Sequence, residues 1–204
     1  MSYEAKNYDQ LLGASGFSDQ MLKNHFTLYQ GYVTNFNKLD ETLMSMERDQ
    51  KFGTPEFAEL NRRLGWEWNG MRLHELYFGN ISKEGSAPVD ESLAQKIDKE
   101  WGSRELWEKD FKSMGAMRGI GWVVLYYDRV AGRLFNVWVN EHDVGHLAGA
   151  TPLLVFASHF AGCDWRGRVC LVALAANTFL FRSAPESKRS RGGLWRALLG
   201  RLPG

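Results

Sequence analysis

The chain has 204 residues, of which 44% are hydrophobic and 13% aromatic. This composition is sufficient for a buried core and excludes a disordered or fibrous chain. The net charge of +1 gives no reason to expect a nucleic-acid partner. It also combines two unlike parts, since residues 1–156 contain 17 Lys/Arg and 22 Asp/Glu (net −5) and residues 157–204 contain 8 and 2 (net +6).

The cysteines and the apolar stretches indicate where the chain resides. Both cysteines, Cys163 and Cys170, lie in the basic C-terminal part, so the remainder has no disulfide framework and suits a reducing compartment. The first residues are polar and acidic where a signal peptide has an apolar run. The longest apolar stretch, residues 169–181, is interrupted by Asn177 and Thr178 and is too short to span a bilayer. We therefore expect a cytoplasmic protein, with no firm membrane signal.

Two helices are predicted in the first 80 residues. From Ser18 to Met46 apolar residues recur at every third or fourth position, as in a helix buried on one face, and Ser18 or Asp19 can cap its start. A similar pattern runs from Pro55 to about Gly79, after a Gly-Thr-Pro break that favours an antiparallel helical hairpin. The predicted apolar face of the second helix contains Phe57, Leu60, Leu64, Trp68, Met71, Leu76 and Phe78.

The second half of the chain changes from helical to alternating patterns. After a linker of Gly, Ser, Pro and Asn residues, the sequence predicts helices at 91–101 and 103–117, a β-hairpin at 122–127 and 133–139, and a third strand at 153–156. Ser103 and Glu105 supply capping chemistry for the second of these helices. A helical half followed by a mixed half predicts an α+β fold.

The chain contains only five histidines, and two of them lie on the predicted hairpin. His25 on the first helix and His74 on the second could converge on one metal ion, as in bundle-core sites. Tyr32 follows His25 by seven residues and so lies on nearly the same helix face. Taken alone, the two histidines fit a core-edge or solvated position better than a metal site.

Several segments together carry a family resemblance. The run from His25 through Tyr32 to Asn37, the segment from His74 to Phe78, the Trp-Gly-Ser start at residues 101–103, and the Gly-Ile-Gly-Trp sequence ending at Trp122 stand in the order of known motifs. Over about 140 residues (15–156) the chain resembles the iron/manganese superoxide dismutases. The resemblance implies that His25 and His74 are metal ligands, that Tyr32 is a gateway tyrosine, and that Trp122 lines the active site.

The resemblance also implies an activity. The metal, iron or manganese, would cycle between its +3 and +2 states while superoxide is converted to oxygen and hydrogen peroxide. Protons would pass through a network of Tyr32 and His142, and Trp122, Tyr77 and Phe78 would exclude bulk water. A homodimer is the expected assembly. The implied organisation is a helical hairpin domain (1–84), an incomplete α/β metal-binding domain (85–156) and a divergent basic tail (157–204).

Two positions around the site depart from the family pattern, and a third matches only some members. Counting back from Tyr32 places the first ligand at Asn24, but we favour His25 because asparagine is a poor ligand for iron or manganese. Gly70 stands where many iron enzymes carry a glutamine that binds the metal-bound solvent. His142 matches a histidine that some members use for that role. His146 could pair with His142 as a metal site, but an exposed loop position is the favoured interpretation.

The remaining two donors of the family site are absent in register. Ala157 occupies the position of the aspartate ligand and Ala161 that of the third histidine, and His159 lies two residues from the required place. We therefore expect an impaired superoxide dismutase, with a non-catalytic structural or interaction module as the alternative. A change of reading frame or a divergent terminus near residue 156 would explain both the losses and the change of charge. A downstream reading frame encoding Asp-x-x-x-His would support the first hypothesis.

Two further patterns lie in the tail. Cys163, Asp164 and Cys170 match no strong zinc spacing and are interpreted as chance. A short amphipathic basic helix is indicated by Leu194, Trp195, Leu198, Leu199 and Leu202 together with Arg191, Arg196 and Arg201. Such a helix fits a docked terminus better than a segment lying on an anionic membrane.

Overall fold

A computed structural model describes residues 2–83 and 90–158 of the chain. Its elements, after a single 3₁₀ turn at Asp9–Leu11, are α1 (Asp19–Arg48), α2 (Pro55–Gly79), α3 (Glu91–Trp101), α4 (Arg104–Gly115), β1 (Gly121–Asp128), β2 (Arg133–Asn140) and β3 (Thr151–Ala157). The predicted α+β class and the helical hairpin are confirmed. The predictions for the cysteines, His159, Ala161 and the amphipathic segment concern residues outside the described part.

The helix starts follow from short polar side chains. Ser18, Thr54 and Ser103 precede α1, α2 and α4, and the side-chain oxygen of each accepts a hydrogen bond of 3.1–3.2 Å from the amide three residues later. Such caps satisfy amides that have no partner within the helix. Ser18 is therefore the cap of α1, where the sequence left Ser18 and Asp19 open.

The buried face of α2 differs from the predicted one. Leu73, His74 and Tyr77 are buried, whereas Leu76 and the predicted apolar residues before Met71 are only partly buried. The reason is that α2, which packs on α1, also reaches β3 at its C-terminal end, where the side chain of Asn80 accepts a hydrogen bond from the amide of Val155 (3.0 Å). Only that end of α2 is enclosed on two sides.

The three strands form one antiparallel sheet in the order β2-β1-β3. The central strand is β1, in which Trp122 pairs with Val139 on one side and with Ala157 on the other. Successive residues of a strand point to opposite faces of the sheet. Trp122 and Val124 therefore face one core, while Val123 and Leu125 face another.

The sheet separates two hydrophobic cores. One lies between the sheet and the α1/α2 hairpin and includes Tyr29, Phe78 and Trp122. The other lies between the sheet and the α3/α4 pair and includes Trp107 and Phe111. Among the residues that the structure describes, no helix is both long enough and apolar enough to cross a membrane.

Candidate metal centre

The hairpin brings two histidines together. His25 of α1 and His74 of α2 are 0% and 3% exposed, and their ring centroids lie 5.7 Å apart. Asn24 is exposed instead, and its side-chain oxygen accepts a hydrogen bond from Gln20 (2.9 Å). A shift of one residue turns a helical side chain by about 100°. Of the two alternatives, His25 is therefore the one that shares the interior with His74.

Both imidazoles are neutral near pH 7. Burial lowers the pKa of His25 to about 3, with a smaller contribution from the neighbouring His74. Burial also lowers the pKa of His74 to about 4. The Nδ1 atom of His74 lies 2.6 Å from the carbonyl oxygen of Gly70, and because a carbonyl only accepts, Nδ1 carries the proton. The Nε2 atom of His74 therefore keeps a lone pair, as a metal ligand requires.

A second group of hydrogen bonds, centred on His142, links α1 to the sheet. The indole N–H of Trp122 lies 3.0 Å from His142 Nδ1, and His142 Nε2 lies 2.7 Å from the hydroxyl of Tyr32. An indole only donates, so Nδ1 is the acceptor and the proton of the neutral ring is on Nε2. His142 thus donates to the oxygen of Tyr32, and the hydroxyl hydrogen of Tyr32 points away from His142.

Burial keeps this pair neutral as well. It lowers the pKa of His142 to about 4. Burial also raises the pKa of Tyr32, and the negative charge of Glu67 raises it further. Glu67 is itself buried, and its Oε1 accepts a hydrogen bond from Arg63 (3.0 Å). At neutral pH the Tyr32–His142 pair therefore holds two protons, one on each side chain.

Aromatic rings lie around His25, His74 and His142, and the distances below join ring centroids. The ring of Trp122 lies 5.0 Å from His74, and that of Tyr77 lies 5.3 Å from His25. Phe78 lies 6.1 Å from His25. Trp66, which the sequence did not single out, lies 5.1 Å from His142. Four aromatic rings therefore lie beside these histidines: those of Trp122, Tyr77 and Phe78, which the resemblance indicated, and that of Trp66.

Gly70 has a structural role that the sequence did not reveal. A Cβ atom at this position would lie 2.5 Å from Cδ1 of Tyr32, closer than nonbonded carbon atoms approach. The missing side chain lets the Tyr32 ring lie flat against α2, with its centroid 5.3 Å from that of His74. A glycine in the interior of a long helix is unfavourable by about 1 kcal/mol, and this cost was the available signal.

The end of β3 supplies no metal donor. Ala157 is buried and pairs directly with Trp122, so its methyl group lies on the same face of the sheet as the indole. Within residues 2–83 and 90–158, no three His, Cys, Asp or Glu side chains are grouped so that they could hold a metal ion. Two imidazoles do not fix the geometry of a redox metal. Among the described residues, His25 and His74 therefore remain a pair of candidate donors without a third His, Cys, Asp or Glu grouped with them.

His146 is not the solvated loop residue that we expected. Its Nε2 atom lies 2.9 Å from the carbonyl oxygen of His142, and its Nδ1 atom lies 2.8 Å from the hydroxyl of Tyr126. Both ring nitrogens are engaged in hydrogen bonds. The structure thus offers no support for a metal site shared by His142 and His146.

Comparison with known proteins agrees with this geometry. Residues 89–159 match the family model for the C-terminal domain of iron/manganese superoxide dismutases. The chain is 36% identical over 159 residues to superoxide dismutase [Mn] 2 of Haloferax volcanii, which covers 76% of this chain and 77% of that protein. It is 30% identical over 165 residues to superoxide dismutase [Fe] of Aquifex pyrophilus (76% and 75%).

A third relative, superoxide dismutase [Fe] of Cupriavidus metallidurans, is 34% identical over 145 residues, covering 69% of this chain and 71% of that protein. The names of these relatives make iron or manganese the metal of the family. The residues that the family model matches include α3, α4 and the three strands. The chain belongs to the iron/manganese superoxide dismutase family.

Proposed function

We propose that this chain is a superoxide dismutase-type metalloprotein whose metal site is incomplete. His25 and His74 would hold iron or manganese, which when bound supplies one-electron chemistry for converting superoxide to oxygen and hydrogen peroxide. Two of the four family donors are replaced at Ala157 and Ala161, so the activity is impaired. A homodimer and a cytoplasmic location belong to the same proposal.

The proton-carrying part of the site supports this function. His142 donates to the oxygen of Tyr32, so the hydroxyl hydrogen of Tyr32 is directed elsewhere. The Tyr32 ring lies 5.3 Å from that of His74, and burial raises the pKa of Tyr32. Tyr32 therefore keeps a proton beside the imidazole of His74. In the proposed function the Tyr32 hydroxyl would give its proton to the peroxide formed when superoxide is reduced and would regain a proton from solvent, while His142 orients the hydroxyl.

The observation that carries the impairment is the position of Ala157. Its cross-strand partner Trp122 contacts His74 at 5.0 Å, so the methyl group faces the region where a third donor would have to stand. A methyl group has no lone pair to offer a metal. We expect metal held by two imidazoles alone to be bound weakly and with undefined geometry.

The test compares the natural chain with one carrying Ala157→Asp and Ala161→His. Each purified chain is loaded with iron or manganese, dialysed, and assayed for bound metal and for superoxide turnover. We expect the double variant to retain one metal per chain. Its turnover should exceed that of the natural chain by roughly 100-fold or more, because even residues outside the ligand set change metal affinity or activity by 10–100-fold.

A matched control carries Ala157→Asn with Ala161→His. Asparagine has the size of aspartate but lacks its charge, so retention of metal should fall well below that of the aspartate variant. Stoichiometric metal binding and equal turnover in the natural chain would contradict the proposal, because unidentified donors would then complete the site.

The second candidate function is a non-catalytic protein that keeps the family fold. The same alanine at position 157 favours it, because a site that never holds metal has no need of an aspartate there. The two candidates differ in the natural chain itself. Residual superoxide turnover that rises with added manganese or iron supports the impaired enzyme, whereas a chain that neither binds metal nor turns over superoxide supports the non-catalytic protein.

A further inference from the structure

We infer that His146 is a positioning residue, which holds the loop that carries His142 and so sets the hydrogen bond between His142 and Tyr32. The inference rests on the proposed function only in assigning His142 a role at the metal centre. The hydrogen bonds from which we argue are those of the metal-free chain.

The hydrogen bonds of His146 run in a defined direction. The carbonyl oxygen of His142 can only accept, so Nε2 of His146 carries a proton and donates to it (2.9 Å). In the neutral ring Nδ1 then accepts from the hydroxyl of Tyr126 (2.8 Å). His146 is thus a bridge from a β1 side chain to the backbone of His142.

The central strand β1 holds His142 at two points, the ring and the backbone. Trp122 and Tyr126 lie four residues apart on β1 and therefore point to the same face of the sheet. Trp122 binds the ring of His142 directly, and Tyr126 binds its backbone through His146. With these two attachments, β1 determines both where the ring lies and how it is turned.

The loop requires these attachments because two of its residues have positive φ angles. Glu141, immediately before His142, has a φ of +51°, in the left-handed region that residues other than glycine rarely occupy. Gly145 has a φ of +110°, and a Cβ there would lie 2.3 Å from the carbonyl oxygen of Trp138. A loop held in sparsely populated conformations persists only where surrounding contacts enforce it.

The test reads the ring of His142 by ¹⁵N NMR of histidine-labelled, metal-free protein. The chain has only five histidines, so single substitutions assign the signals. In the natural chain we expect one tautomer of His142, protonated on Nε2 and with Nδ1 as acceptor. In His146→Ala we expect the two nitrogen shifts to move toward each other, because a ring that has lost its alignment exchanges between tautomers.

Two further variants separate positioning from general destabilisation. His146→Gln keeps a donor that can reach the carbonyl oxygen of His142, and it should restore the single tautomer. Arg129→Ala removes a different side-chain bond near the sheet, that from Arg129, the residue after β1, to Thr151 of β3 (3.0 Å), and it should leave the signals of His142 unchanged.

The inference is overturned if His146→Ala is folded by circular dichroism and retains the natural His142 signals. It is equally overturned if Arg129→Ala disturbs them as much as His146→Ala does. Should the alanine variant not fold, Tyr126→Phe decides, since it removes only one hydroxyl and should still shift the equilibrium of tautomers. The outcome is independent of metal content and superoxide turnover, so its failure is distinguishable from failure of the proposed function.

Discussion

The two faces of the sheet are built from the same strands but contain different chemistry. On the face toward α1 and α2, Trp122 and His142 lie against a buried group of histidines and tyrosines. On the face toward α3 and α4, Val123 and Leu125 pack against large apolar side chains. Polar contacts there include a bond from the Trp107 indole to Asn136 (3.0 Å), which in turn donates to Asp110 (2.7 Å).

This difference shows that neighbouring residues can have separate roles. Trp122 and Val123 are adjacent in β1 but face different cores. The buried histidines lie on the hairpin side, and their burial lowers each pKa. Changes on the hairpin side should therefore alter protonation and metal chemistry, whereas changes on the other side should alter stability alone.

The largest expected effect is acid destabilisation of the metal-free chain. The folded pKa values of His25, His74 and His142 are about 3, 4 and 4, below the unfolded value of about 6.5. The unfolded state therefore binds more protons, and stability falls as pH drops through 6.5 toward 4. Each histidine accounts for roughly 1.4 kcal/mol per pH unit in that window, so urea unfolding should show a loss of several kcal/mol between pH 7 and 5.

The matched control for acid destabilisation is His142→Gln. A glutamine amide can accept from Trp122 and donate to Tyr32 but does not titrate. The slope of unfolding free energy against pH should fall by the share of one histidine. An unchanged slope would show that His142 is protonated equally in the folded and unfolded states.

A substitution on the opposite face tests the other half of the comparison. Trp107 is fully buried in the α3/α4 core, so Trp107→Ala should lower the free energy of unfolding by about 3–5 kcal/mol. The neighbouring Leu106 is 54% exposed, and Leu106→Ala should change it by no more than about 0.5 kcal/mol. Histidine ¹⁵N signals should be the same in both variants; a shift at His142 would show that the two faces are coupled.

The smallest expected effect separates two glycines of one helix. Gly70→Ala would place a methyl group against the Tyr32 ring and should destabilise the fold by about 1–3 kcal/mol. Gly65 has open space around it, so Gly65→Ala should stabilise by about 0.5–1 kcal/mol through helix propensity. Thermal unfolding compares the two, and stabilisation by both would show that the Tyr32 ring moves without cost.

Local sequence patterns determined most of the fold. The spacing of apolar residues predicted α1 and α2, and the Gly-Thr-Pro break predicted the turn between them. Ser103 marked the start of α4 because a cap involves only the next few amides. Alternation predicted β1 and β2 for the same reason, since all these signals act within one element.

The tertiary structure decided which side chains meet. His142 bonds to Tyr32 across 110 residues of chain; only the family resemblance indicated this pair, since no periodic pattern encodes a partner at that distance. The burial of His25 rather than Asn24 depended on how α1 is turned against α2. The engagement of His146 depended on Tyr126 standing on the same sheet face as Trp122. The sequence by itself determined the elements, because periodicity and capping are local; packing decided the site, because contacts between elements depend on rotations that no single element specifies.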